Sequence, residues 1–132
     1  MYRLCFQRAF SARHALVGGD WGVENAEHAH AYKVEWELAG ERLDRHEYLV
    51  DLVAVEAALD AVLARYGGAY LNDLPEFADA NPSLERFARI LWEKLGAGLP
   101  AGVCARVRLW ENESAWAGYD EDGDADRSRP VR

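Results

Sequence analysis

From His28 to Leu38 the side chains Tyr32, Val34, Trp36 and Leu38 fall on even positions, while Lys33, Glu35 and Glu37 hold odd ones. A period of two predicts a strand with one dry and one wet face. Residues 2–14 repeat the pattern with Leu4, Phe6, Phe10 and Ala12 on even positions, broken by Arg8. The glycine-bearing stretch "ALVGGDWGVENAE" between them reads as a loop. The period then changes. Asp51 is a candidate N-cap for a helix whose stripe is Leu52, Val55, Leu59, Val62, Leu63 and Tyr66, ending at Gly67. Asn81-Pro82-Ser83 opens a second helix with Leu84, Phe87, Ala88, Leu91 and Leu95 inward and Gly96 closing it. Val103, Ala105, Val107 and Leu109 then alternate with Cys104, Arg106, Arg108 and Trp110, which lands Glu111 on the apolar face at the strand's end. A fourth strand, roughly 114–120, closes a hairpin through "ENES". This order predicts an α+β fold with two helices on one face of a four-stranded antiparallel sheet.

Composition narrows the partners. The 132 residues are half apolar, enough for one domain, expected over 1–119. The acidic tail from Asp120 has little to bury and reads as disordered. The formal charge is −8, and residues 1–119 alone, with 12 basic against 18 acidic side chains, still carry −6. That argues against a nucleic-acid surface and makes a polyanionic substrate awkward unless local arginines govern one cleft. Arg8 and Arg13 are the candidates, by nearness to His14. Cys5 and Cys104 lack pairing or metal spacing, no signal-peptide pattern is evident, and no apolar run approaches membrane length, so a cytoplasmic protein with free thiols is expected.

The chemistry sits on the inward parity. His28 and His30 precede Tyr32 on the dry side, and His14 shares that parity on the first strand. Burying neutral imidazoles together is costly unless each finds a partner, and a shared metal ion supplies one. Three imidazoles with an open fourth position make a catalytic-type zinc site, whereas structural zinc normally takes four protein ligands. A lone H-x-H is weak; the third histidine in phase strengthens it. His46, in a polar connector, reads as a surface residue.

"FSARH" (Phe10 to His14), "HAHAY" followed by Lys33 and Val34, Val50-Asp51, Leu71-Asn72, "PSLERFA" (Pro82 to Ala88) and "LWENESAWAGY" (Leu109 to Tyr119) stand in a telling order. In that order and spacing the chain resembles the 6-pyruvoyltetrahydropterin synthase and 6-carboxytetrahydropterin synthase family, over nearly all of its length to Tyr119. The resemblance implies a tunnelling fold whose trimers close into a β-barrel and stack as a homohexamer, with active sites between subunits. It implies zinc on His14, His28 and His30, and a pterin ring held by Glu111, whose carboxylate can accept two hydrogen bonds from an amino-pyrimidine edge.

Two departures from the family pattern matter. The family's cysteine, four residues before H-x-H, is Glu24 here, and its Asp-His pair ahead of Leu-Asn is Gly67-Gly68. Some members similar to this chain carry glutamate at the cysteine position and convert 7,8-dihydroneopterin triphosphate to 6-hydroxymethyl-7,8-dihydropterin. A glutamate side chain is ordinarily ionised at neutral pH where a thiol is mostly protonated, so Glu24 is a ready catalytic base. It could equally be a fourth zinc ligand, and Glu27 competes for either role. The expected function is a zinc-dependent lyase or synthase acting on a dihydropterin or related small molecule, with shifted chemistry. The alternatives are a non-catalytic pterin-binding hexamer, an enzyme with a non-pterin substrate, and a protein whose zinc is structural.

Overall fold

The computed structural model describes residues 1–121; most of the acidic tail lies outside the described residues. Two long strands, β1 (Tyr2–His14) and β2 (His28–Gly40), are followed by α1 (Leu52–Tyr66), α2 (Leu84–Gly96), β3 (Cys104–Trp110) and β4 (Trp116–Tyr119). The strands pair antiparallel in the spatial order β1-β2-β3-β4, an open sheet within one chain. The sheet, the two helices and their order agree with the sequence reading. β4 is shorter than expected, starting at Trp116.

Both helices cover the even-parity face. Asp51 caps α1, its Oδ1 accepting from the Val53 and Ala54 amides, and Ser83 caps α2 by accepting from the Arg86 amide. The α1 stripe buries Val55, Leu59, Leu63 and Tyr66, but Leu52, expected inside, is 42% exposed because it opens the helix beyond the sheet's cover. Arg8 does not break β1: it reaches across to α1, donating to Asp60 at 2.8 Å and Glu56 at 3.2 Å. A cation on the dry parity is tolerable there because helical acids meet it.

Phe87 is the hub of the core. It is fully buried and meets Tyr66, Tyr32, Phe77 and Phe10 with ring centroids 5.1, 5.3, 5.5 and 5.8 Å away, mostly edge to face. Truncating such a ring to alanine typically costs about 3–5 kcal/mol. Beneath the cluster, Glu76 accepts from the Arg65 guanidinium through both oxygens at 2.7 Å and from the Tyr66 hydroxyl at 2.7 Å, fastening the inter-helix loop to α1.

The opposite face carries alternating charge. Glu37 lies 3.7 Å from Arg3 and 3.9 Å from Arg106, Lys33 lies 3.5 Å from Glu35, and Arg108 stacks over Trp116. At the outer edge of β1 the loop after α1 adds a short ladder: the Gly68 amide donates to Ser11 O and the Arg13 amide to Ala69 O. Gly68 holds φ +73°, a left-handed conformation that suits glycine.

Candidate metal centre

The β1–β2 register builds the site. His14 pairs directly with His28 and Ala12 with His30, so three imidazoles meet on the covered face at one end of the two longest strands. Their ring centroids are 4.5 Å (His14–His28), 4.8 Å (His14–His30) and 4.9 Å (His28–His30) apart. One ligand-capable atom from each lies within 4.8 Å of the others.

Hydrogen bonds to the far side of two rings set their tautomers. His14 Nδ1 donates to the Pro82 carbonyl at 3.2 Å and His28 Nδ1 to the Ala26 carbonyl at 2.8 Å. Each proton placed on Nδ1 leaves the Nε2 lone pair bare. All three Nε2 atoms are buried without a hydrogen-bond partner. The only other such atoms among the described residues are Trp36 Nε1, on β2, and Arg86 Nε, on α2. Three imidazoles, each with a buried and unpartnered Nε2 and with ligand-capable atoms within 4.8 Å of one another, suit a metal ion, and a histidine-only donor set suits zinc. Burial above all, then the neighbouring His30 and His28, lowers the His14 pKa to about 4, so the ring is neutral and fit to ligate at physiological pH.

Three consecutive residues before α2 serve this site. Asn81 clamps Val17, accepting from its amide at 2.7 Å and donating to its carbonyl at 2.9 Å; Pro82 supplies the carbonyl for His14; Ser83 caps the helix. Asn72 clamps Ala15 in the same two-bond manner, both at 2.9 Å. The chain leaving His14 is therefore pinned at Ala15 and Val17. Sequence reasoning missed Asn72 and Asn81 in this role, since a clamp between distant segments leaves no local pattern.

The pinned loop delivers Glu24. It sits in a 3-10 turn, Gly22–Asn25, tied back by the Leu16 amide on Glu24 O and by the Asn25 side chain on Leu16 O and Gly19 O. Glu24 Oε1 then stands 3.7 Å from His28 Nε2, the bare nitrogen. Glu27, its rival in the sequence, is turned the other way and paired with Arg13. Arg13 also donates to Gly68 O and lies over the Tyr70 ring, on the wet parity of β1. With Arg8 committed to α1, neither arginine suggested for a triphosphate points into the triad.

Glu111 follows β3 in the hairpin turn, where its amide donates to Ala115 O. Tyr32 lies beside the triad, its ring centroid 5.7 Å from that of His30 and its hydroxyl 3.4 Å from His14 Nδ1. Burial first, and then the Glu111 charge, push the Tyr32 hydroxyl pKa up, so Tyr32 stays protonated. Glu111 also lines an open cleft of about 510 Å³ with Ala31, Lys33, Trp110, Asn112 and Glu113. Of Gly67 and Gly68, the positions of the missing Asp-His pair, the first ends α1 and the second donates its amide to Ser11 O. His46 is exposed, as expected, and Cys5 and Cys104 are free thiols.

A family model described as 6-pyruvoyl tetrahydropterin synthase matches residues 3–122. The chain belongs to the 6-pyruvoyl tetrahydropterin synthase family. Solved structures agree on the fold. The Caenorhabditis elegans 6-pyruvoyl tetrahydropterin synthase superposes with a TM-score of 0.79 at 23% identity, covering 92% of this chain and 98% of that one. A Plasmodium vivax 6-pyruvoyltetrahydropterin synthase, in a form with a catalytic glutamate changed to alanine, gives 0.73 at 14% identity over 91% and 97%. An uncharacterized Wolinella succinogenes protein gives 0.73 at 16% identity over 92% and 98%. Family membership and the antiparallel sheet with two helices make this a tunnelling fold. Among the described residues no helix is long and apolar enough to cross a membrane.

Proposed function

We propose that this chain is a zinc-dependent, pterin-processing enzyme of the lyase or synthase type, with His14, His28 and His30 holding the metal, Glu24 moving the proton and Glu111 holding the ring. The observation that carries it is the set of three buried, bare Nε2 atoms with a carboxylate 3.7 Å from one of them. Family membership supports the pterin, and the P. vivax relative supports glutamate as a catalytic residue of such an enzyme.

Zinc, when bound, supplies Lewis-acid polarisation of a substrate oxygen, which acidifies the neighbouring C–H bonds. The chain's own residues do the rest. Pro82 and Ala26 hold two imidazoles in the ligating tautomer, and the clamped loop presents Glu24 beside them. The Glu24 carboxylate accepts a proton from the substrate side chain. Glu111 accepts hydrogen bonds from the amino-pyrimidine edge and fixes which substrate carbon faces Glu24. The Asp-His pair has no counterpart at Gly67-Gly68, so Glu24 alone carries the proton traffic that the family pattern divides. The working form in this reading is a cytoplasmic homohexamer, as the family resemblance implies.

The test is incubation of zinc-loaded protein with 7,8-dihydroneopterin triphosphate and identification of the products by mass spectrometry. A 6-hydroxymethyl product, lost in Glu24→Ala and in Glu111→Ala, is the expected result. Turnover unchanged in both variants would sink the assignment. A second reading, a pterin-binding protein without turnover, is favoured by Gly67-Gly68, which offer no proton acceptor; it expects ligand binding that depends on Glu111 and no product.

A further inference from the structure

A three-histidine zinc site has a fourth position, and the loop that carries Glu24 is built to reach it. We propose that Glu24 is the fourth ligand of the resting metal centre and vacates that position when substrate enters. This rests on the reading of His14, His28 and His30 as the zinc site, and it adds a second state for the proposed catalytic base.

Donors on a tetrahedral zinc, with bonds of about 2.0–2.1 Å, stand about 3.4 Å from one another. Glu24 Oε1 is 3.7 Å from His28 Nε2, within a small side-chain adjustment of that spacing. The backbone of Glu24 is fixed independently of its side chain, by the Leu16 amide on its carbonyl and by the Asn25 bonds that close the turn. The competing acid of this stretch, Glu27, is held by Arg13.

The Glu24 side chain is half exposed. The side chain therefore borders water, and the group can swing off the metal side without crossing the core. Ligation at rest would place the carboxylate beside a cation and exclude adventitious ligands from the open position. On displacement the freed carboxylate lies next to the incoming substrate, where a base is needed.

Cobalt(II) in place of zinc reports coordination directly through its visible absorption, and zinc affinity is measured by competition with a chromophoric chelator. Glu24→Gln and Glu24→Ala should change the cobalt spectrum and weaken zinc by at least about tenfold. Glu27→Gln, which removes the same charge from the same stretch, should leave both unchanged. Glu24→Gln keeps the shape of the side chain and every backbone bond of the turn, so a folding defect in Glu24→Ala alone does not blunt the test. A wild-type cobalt spectrum in both Glu24 variants, with zinc affinity within twofold, would overturn the proposal. Loss of turnover alongside that unchanged spectrum would leave Glu24 as a base and defeat only its ligand role. Failure of the wild-type protein to take up zinc or cobalt would defeat the zinc reading itself, and this proposal with it.

Discussion

His14 and His28 are direct partners across the β1–β2 ladder, and their rings meet nearly edge to face with centroids 4.5 Å apart. Strand register therefore sets the candidate metal site: a one-residue slip of β1 would turn His14, and one of β2 both His28 and His30, to the opposite face of the sheet. The site is as rigid as the pairing of the two longest strands.

Replacing any one of His14, His28 and His30 by alanine should reduce zinc from about one equivalent per chain to a small fraction, with affinity falling at least about a hundredfold. Atomic absorption on dialysed protein measures it. Full zinc content in a single-histidine variant would mean that the metal is held elsewhere.

Chelation should lower the melting temperature and leave the chain folded at 25 °C. The core around Phe87 is complete without the metal, so bound zinc would stabilise by mass action rather than by supplying the fold. Circular dichroism with and without EDTA tests this; collapse of the spectrum on chelation would favour a structural zinc.

Asn72→Ala should cost about 1–3 kcal/mol in urea unfolding, because the Ala15 amide and carbonyl both lose their partner in a half-buried setting. It should also weaken zinc, since Ala15 follows His14. A variant destabilised with intact zinc affinity would show that the clamp serves the fold alone.

Glu76 gives a pH dependence with a definite sign. Its hydrogen bonds from Arg65, the largest cause, and from Tyr66 lower its pKa to about 2 from an ordinary 4.5. A depressed carboxylate pKa contributes stability that is complete above about pH 4.5 and lost as pH falls toward 2. The full shift would correspond to about 3 kcal/mol, and screening at the 44% exposed Arg65 reduces this to about 1–2 kcal/mol. Unfolding of wild type and Glu76→Gln should differ by that amount at pH 7 and converge near pH 2; a gap that persists in acid would contradict it.

The parts readable in the sequence were those written in short periods. Parity alone put His14, His28 and His30 on one face, and the 3.6-residue stripes with Asp51 and Ser83 at their heads gave both helices. The choice between Glu24 and Glu27 was closed to such reasoning, because it depends on a loop whose course is set by Asn25, Asn72 and Asn81 through bonds to residues up to 64 positions away. Arg8 misled for the same reason: its partners Glu56 and Asp60 belong to another element. Leu52 fitted the helical period but opens the helix, where the sheet no longer covers it.

The ladder that Gly68 and Ala69 add to the rim of β1 has a consequence for strand addition. A free sheet edge invites another chain to zip along it. Here an incoming strand could hydrogen-bond along the first part of β1 but would be stopped at Ser11, whose carbonyl already holds the Gly68 amide. Gly68 and Ala69 thus work as a doorstop: they limit how far a neighbour can slide along this rim, and they hold its backbone short of the histidines.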